Sequence, residues 1–186
     1  MRRLNLHQFK TVLAFALRLA MCTGVAASAQ EESEDSTMSW ALTLKTIRAE
    51  FPTVAHISTD TLQSWLAESP QRENLLLFDV RDPEEYAVSH LQGAQPAPSK
   101  DEALKALQGI PADQHIVLYC SVGYRSSDLA QFLMKKGYTE VYNLEGSIFA
   151  WANEGRPVYR GKERVQVVHP YDRTWGRLLK KSLRKQ

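Results

Sequence analysis

One cysteine, Cys120, follows the apolar run Ile116-Val117-Leu118-Tyr119 and opens the loop Cys120-Ser121-Val122-Gly123-Tyr124-Arg125. A helix-forming run starts at Ser126. Strand, tight loop and helix in that order concentrate reactivity on one sulfur. Backbone N–H groups of the loop, the helix N-terminus and the Arg125 guanidinium all favour a thiolate over a thiol. Such surroundings lower a cysteine pKa from about 8.5 to roughly 3.5–7.5, and two units correspond to about 2.7 kcal/mol of preference for the anion. Cys120 therefore reads as a nucleophile, provided that its sulfur is held ionised and is reachable from solvent.

The elements that must position it alternate between strand and helix. Trp40, Leu44, Ile47 and Phe51 recur at helical spacing and stop at Pro52. His56-Ile57 reads as a short strand, followed by a helix with Leu62, Trp65 and Leu66 on one face and Ser58 or Thr59 as its cap. Leu75-Leu76-Leu77-Phe78 has the continuous apolar pattern of a strand buried on both faces, ending in Asp79-Val80-Arg81. Asp82-Pro83-Glu84-Glu85 is a helix start, with Glu85 in capping-box position. Ala94 to Pro98 is extended, and Leu104 and Leu107 mark a short helix. After the Ile116–Tyr119 strand comes a helix carrying Leu129, Phe132 and Leu133 and ending at Gly137. Val141-Tyr142 is a strand and Ile148 to Asn153 a last core helix. This order implies an α/β fold with a parallel sheet covered on both faces, and ligands then bind beyond the strand carboxyl ends, where Asp79 and Cys120 fall.

The ends of the chain differ from its middle. Arg2, Arg3 and Lys10, the largely apolar stretch Val12 to Ala27, and Ala27-Ser28-Ala29 read as a signal peptide over residues 1–29, cleaved before Gln30. An exported protein, bacterial and periplasmic, is the expectation; an uncleaved N-terminal anchor and a mitochondrial presequence are the alternatives. Residues 30–55 read as a flexible acidic lead-in, Gln30 to Thr37, and a helix. Cleavage would leave Cys120 as the lone thiol, either buried and inert or chemically used. Residues 30–159 hold 10 Lys/Arg against 19 Asp/Glu, and residues 160–186 hold 9 against 2. In this basic tail Trp175, Leu178, Leu179 and Leu183 make an apolar stripe beside Arg177, Lys180, Lys181, Arg184 and Lys185. It would pack back on its own acidic domain, or else lie on an anionic membrane surface or dock a partner. Nucleic acid is not an expected partner.

Three separated segments then carry a resemblance. LLLFDVRDPEEYAVSHLQGA at 75–94, CSVGYRS at 120–126 and GYTEVYNLEGSIFAWANEGRPV at 137–158 resemble a single-domain rhodanese, over about residues 56–158. The resemblance implies a five-stranded, mainly parallel sheet flanked by helices, and sulfurtransfer through a persulfide on Cys120. It assigns Ser121, Val122, Gly123, Tyr124 and Arg125 to a substrate-binding cradle. The donor would be a small sulfane such as thiosulfate, and the acceptor a thiol or a cyanide-like nucleophile. Related phosphatases and arsenate reductases have five residues between the cysteine and the arginine; here there are four, which argues for sulfur over phosphate. Arg125 is the only cation in the loop, unlike in some thiosulfate-preferring members. Ser89-His90-Leu91-Gln92-Gly93 replaces the commoner Gly-His-Ile-Pro-Gly, and Ser147 stands for a glycine.

Each residue also has a bland role. Arg125 either grips substrate or makes a structural ion pair. Asp79 is expected to hydrogen-bond the cysteine loop, Arg81 to pair with an acid, Ser126 to cap its helix, and Tyr124 to shape the entrance. His90 reads as a satisfied helix-end side chain and Trp151 as core. His56, His90, His115 and His169 lack metal-ligand spacing, so neither metal nor cofactor is expected. Two other functions compete with the enzyme: a non-catalytic sulfur-carrier or partner-recruiting module, and a redox-sensing thiol.

Overall fold

Five strands, β1 (Ala55–Ile57), β2 (Leu75–Asp79), β3 (Gln95–Pro96), β4 (His115–Tyr119) and β5 (Val141–Leu144), form one sheet in the order β1-β5-β4-β2-β3. All of its pairings are parallel. The structure, a computed structural model, describes residues 31–68 and 74–186; the expected signal peptide lies outside the described residues. The chain divides into two units, Met1–Thr43 and Leu44–Gln186. Helix α1 (Glu31–Glu50) is followed by α2 (Thr59–Ala67), α3 (Pro83–Val88), α4 (Lys100–Ala106), α5 (Tyr124–Lys135) and α6 (Ser147–Asn153), each later one between strands or after the last. Among the described residues no helix is long and apolar enough to cross a membrane.

The central strand shows why the sheet needs helices on both sides. Successive strand residues point to opposite faces, yet Ile116, Val117, Leu118 and Tyr119 are all fully buried. Both faces of β4 are therefore covered, as the apolar run requires. Local signals set the helix ends: the Ser58 side chain accepts from the Thr61 N–H, and Ser99 does the same for Glu102. Pro83 opens α3, and Glu85 Oε2 reaches back to the Asp82 N–H at 3.2 Å.

Two expectations at helix starts need correction. α1 begins at Glu31, so most of the stretch read as a flexible lead-in is helical. α5 begins at Tyr124, two residues early, because Gly123 takes φ +113° and serves as its N-cap.

The basic tail, residues 159–186, is structured and packs on the domain. Val158–Arg160 (β6) pairs antiparallel with Glu163–Val165 (β7), and Tyr159 exchanges two 2.8 Å backbone bonds with His90. The apolar stripe forms two 3-10 turns, Trp175–Leu178 and Lys181–Leu183, instead of an amphipathic helix. Trp175, Leu178 and Leu179 are buried. The Asn153 side chain donates to the Leu178 carbonyl at 2.7 Å and accepts from the Lys180 N–H at 2.8 Å.

Candidate active site

The parallel order brings the carboxyl ends of β2, β4 and β5 to one edge, and the loop after β4 is held there from several sides. The first N–H groups of α6 donate to it: Ile148 to the Cys120 carbonyl and Phe149 to that of Ser121, each at 3.2 Å. The Cys120 N–H donates to Ser147 Oγ at 3.1 Å. Beneath the loop lie Ile47 and Phe51, and Tyr124 packs edge-on against Phe51 with ring centroids 5.2 Å apart. With its carbonyls tied to α6, the loop turns N–H groups toward the sulfur. The Gly123 N–H lies 3.1 Å from Cys120 Sγ. A Cβ on Gly123 would sit 3.2 Å from Asn143 Nδ2, so both its φ and its close packing disfavour a side chain there.

Burial by itself would push the Cys120 thiol up. The charge of Arg125, the Ser126 hydroxyl, and the Ser126 and Gly123 N–H groups outweigh it, and the thiol is held below its ordinary value. The Ser126 hydroxyl, also 2.6 Å from Asn143 Oδ1, continues outward through Asn143 Nδ2 to His56 Nδ1 at 3.0 Å. Ser126 therefore sits inside the first turn of α5 and is part of a buried polar chain; it is not the cap. Burial, with Arg48 nearby and against the pull of Glu145, lowers the His56 pKa.

Arg125 is committed to acids. Its Nη1 donates to Glu85 at 2.7 Å and Asp82 at 3.2 Å, and its Nη2 to Glu85 at 2.9 Å and Ser121 Oγ at 3.1 Å. The Ser121 hydroxyl in turn donates to Glu85 Oε1 at 2.9 Å. Glu85 is 2% exposed; burial would raise its carboxyl, but hydrogen bonding and charge from Arg125 bring it below the usual range. Of the two roles open to Arg125, this geometry is the ion pair, formed beside the sulfur. Glu85 is the member of this cluster that the sequence does not single out. Its capping-box position was legible, and its second duty was not.

Asp79 does not bond the cysteine loop as expected. Its carboxylate takes Arg81 Nε at 2.9 Å, Nη2 at 2.6 Å and the Arg81 N–H at 3.0 Å, with both side chains fully buried. Arg81 also donates to the Ser89 carbonyl at 2.6 Å, which fixes the segment after α3. Tyr124, expected at the entrance, is buried against Phe51, because the early start of α5 turns it inward. Val122 is buried as well. His90 stacks on Tyr86 and lies 3.2 Å from the Tyr86 carbonyl, and Trp151 donates to the Pro157 carbonyl.

Cys120 is only 1% exposed. The sequence led us to expect a reachable sulfur, and this cover is a correction to that expectation.

Comparison with known proteins fits this geometry. The sequence model of the rhodanese-like domain matches residues 62–154. A sulfurtransferase of Allochromatium vinosum is 36% identical over 105 residues, 56% of this chain and 94% of that protein. The probable adenylyltransferase/sulfurtransferase MoeZ of Mycobacterium tuberculosis is 36% identical over 102 residues, 54% of this chain but 25% of its own length. The chain thus spans about a quarter of that relative. Among solved structures, a rhodanese-like domain from Anabaena superposes with a TM-score of 0.50 at 26% identity, covering 56% of this chain and 77% of that one.

Proposed function

The chain belongs to the rhodanese-like family, and on that footing we infer that it is a sulfurtransferase carrying sulfur as a persulfide on Cys120. The observation that carries the reading is convergence: the Gly123 N–H, the Ser126 N–H and hydroxyl, and the Arg125 charge all act on one sulfur. In the first step the Cys120 thiolate attacks the outer sulfur of a sulfane donor. The donor's sulfur–sulfur bond breaks, its electron pair leaves with the departing group, and Cys120 becomes a persulfide anion. With thiosulfate the departing group is sulfite. An acceptor nucleophile, a thiolate or cyanide, then takes the terminal sulfur and returns the thiolate. The donors that favour ionised Cys120 also favour the persulfide, whose charge lies one atom further out.

A second reading draws on two observations. Cys120 is covered, and Arg125 has its in-plane donors turned to Glu85, Asp82 and Ser121. A sulfur-carrier or recruitment module without turnover has the same features. A multiple-turnover thiosulfate:cyanide assay, with intact-protein mass spectrometry after incubation with thiosulfate, a low-molecular-weight persulfide or polysulfide, separates the two. The enzyme reading expects a gain of one sulfur on the wild type, none on Cys120→Ser, and loss of the adduct when cyanide or a thiol is added. Failure to load from every donor refutes it.

A further inference from the structure

One contact on the cysteine loop, the ring of Tyr171 on Arg125, comes from outside the segment that matches the family, which ends at residue 154. Past β7 the chain is anchored twice. Val168 is fully buried and exchanges backbone bonds with Leu183 at 2.7 Å and Lys185 at 3.0 Å. Trp175 is 2% exposed. Between these anchors residues 169–174 make a closed turn: the Asp172 carboxylate accepts from the Thr174 and Trp175 N–H groups at 2.9 Å, and the Gly176 N–H donates to the Asp172 carbonyl at 2.8 Å. Gly176 lies so close to Pro170 that a Cβ there would stand 2.9 Å from the proline ring. At the crest is Tyr171, which adopts φ +62°, a conformation a bulky residue takes only when its surroundings enforce it. Its ring lies against the face of the Arg125 guanidinium, 4.8 Å from the central carbon. The N–H edge of Arg125 faces Glu85, Asp82 and Ser121, and with the ring against its face the side chain keeps 20% exposure. A cavity of about 560 Å³, lined in part by Glu84, Val88, His169 and Arg173, lies between the turn and α3.

We propose that residues 169–174 form a strap across the mouth of the cysteine loop, and that Tyr171 determines which sulfur donors reach Cys120. The inference rests on Cys120 being the reactive group of the proposed sulfurtransferase. An anionic donor must displace the Tyr171 ring to meet Arg125. A bulkier donor must lift the strap further than a small one.

The test uses the full chain, Cys120 alkylation by iodoacetamide, and sulfur loading from thiosulfate and from a glutathione-sized persulfide. Tyr171→Gly removes the ring and relaxes the positive-φ backbone, so it leaves the turn intact; Tyr171→Phe keeps the ring. Asp172→Ala is the second probe, since it unties the turn and leaves the Tyr171 side chain in place. The expected result is alkylation roughly tenfold faster in Tyr171→Gly and Asp172→Ala, a change of about 1.4 kcal/mol in the opening equilibrium. Tyr171→Phe should stay at the wild-type rate. The ratio of loading by the large donor to loading by thiosulfate should rise in Tyr171→Gly. Wild-type alkylation in both Tyr171→Gly and Asp172→Ala overturns the strap while leaving sulfur loading as it stands. Faster alkylation in Tyr171→Phe also overturns it, since the stacked ring would then not be the barrier. If Tyr171→Gly alkylates faster but no donor loads sulfur, the strap stands and the sulfurtransferase reading falls.

Discussion

Replacing Ser126 by alanine tests how the sulfur is kept anionic. The Ser126 hydroxyl serves both Cys120 and Asn143 Oδ1, the latter at 2.6 Å. A hydroxyl has one proton to donate, so ionisation of Cys120 draws it away from Asn143 and toward sulfur. A hydrogen bond to a charged group contributes about 1.5–3 kcal/mol. Because the bond to Asn143 is given up in exchange, the lower end applies, and Ser126→Ala is expected to raise the Cys120 pKa by roughly one unit. The Gly123 N–H and Arg125 remain and keep part of the shift. The assay is ultraviolet absorbance of the thiolate against pH, with Cys120→Ser as the blank. Stability gives an independent reading. The folded pKa lies below the unfolded value of about 8.5, so ionisation adds stability as pH rises through the folded pKa. That gain is complete above the unfolded value and is lost as pH falls through the folded one. Ser126→Ala should shrink it by about 1.4 kcal/mol, measured by denaturant unfolding on both sides of that window. An unmoved titration curve would refute Ser126 as a donor to the sulfur.

Arg125→Met removes the cation beside Cys120 and leaves Glu85 buried without its partner; the thiol pKa should rise and stability fall by about 3 kcal/mol. The folded pKa of Glu85 is depressed in the wild type, so the pair stabilises above the unfolded carboxyl value and fails as pH falls through the folded one. The deficit of Arg125→Met, followed by urea unfolding, should therefore narrow toward acid pH; a deficit constant with pH would contradict the clamp. Gly123→Ala forces φ +113° on a residue with a Cβ and crowds Asn143, and we expect a loss of about 1–3 kcal/mol with slowed sulfur loading. Arg81→Met strands the fully buried Asp79 carboxylate at a cost of about 3–5 kcal/mol, and Asp79→Leu in the same chain should recover most of it. A double variant no more stable than the single would mean that the pair is not what holds this region.

What the sequence made legible was local. Apolar runs placed the strands, Ser58 and Ser99 announced their helices, and Cys120 stood out because strand, tight loop and helix adjoin along the chain. What it hid joins residues far apart. Glu85 and Arg125 are 40 positions apart, and only the assembled sheet puts α3 beside the cysteine loop. Asn143 and His56 are 87 apart, so a polar chain leading from the sulfur leaves no trace in any window. Asp79 reads as a loop partner because its nearer choice, Arg81, requires burial of both charges, and burial is not written in the residue types. The tail packs back on the domain as expected, and only its local form was hidden. Its alternation of apolar and basic residues suits an amphipathic helix, but Trp175, Leu178 and Leu179 found an apolar seat beside Asn153 and settled for 3-10 turns. Tyr171 carried no signal, since positive φ is unexpected for a tyrosine until two anchors impose it.

The sheet ends on one side in β3, two residues of which the second is Pro96. A proline has no N–H to offer a neighbour, and two residues are too few for a ladder. That margin is blunt: it offers a passing extended chain little to pair with, which is how an edge strand discourages addition of a further strand.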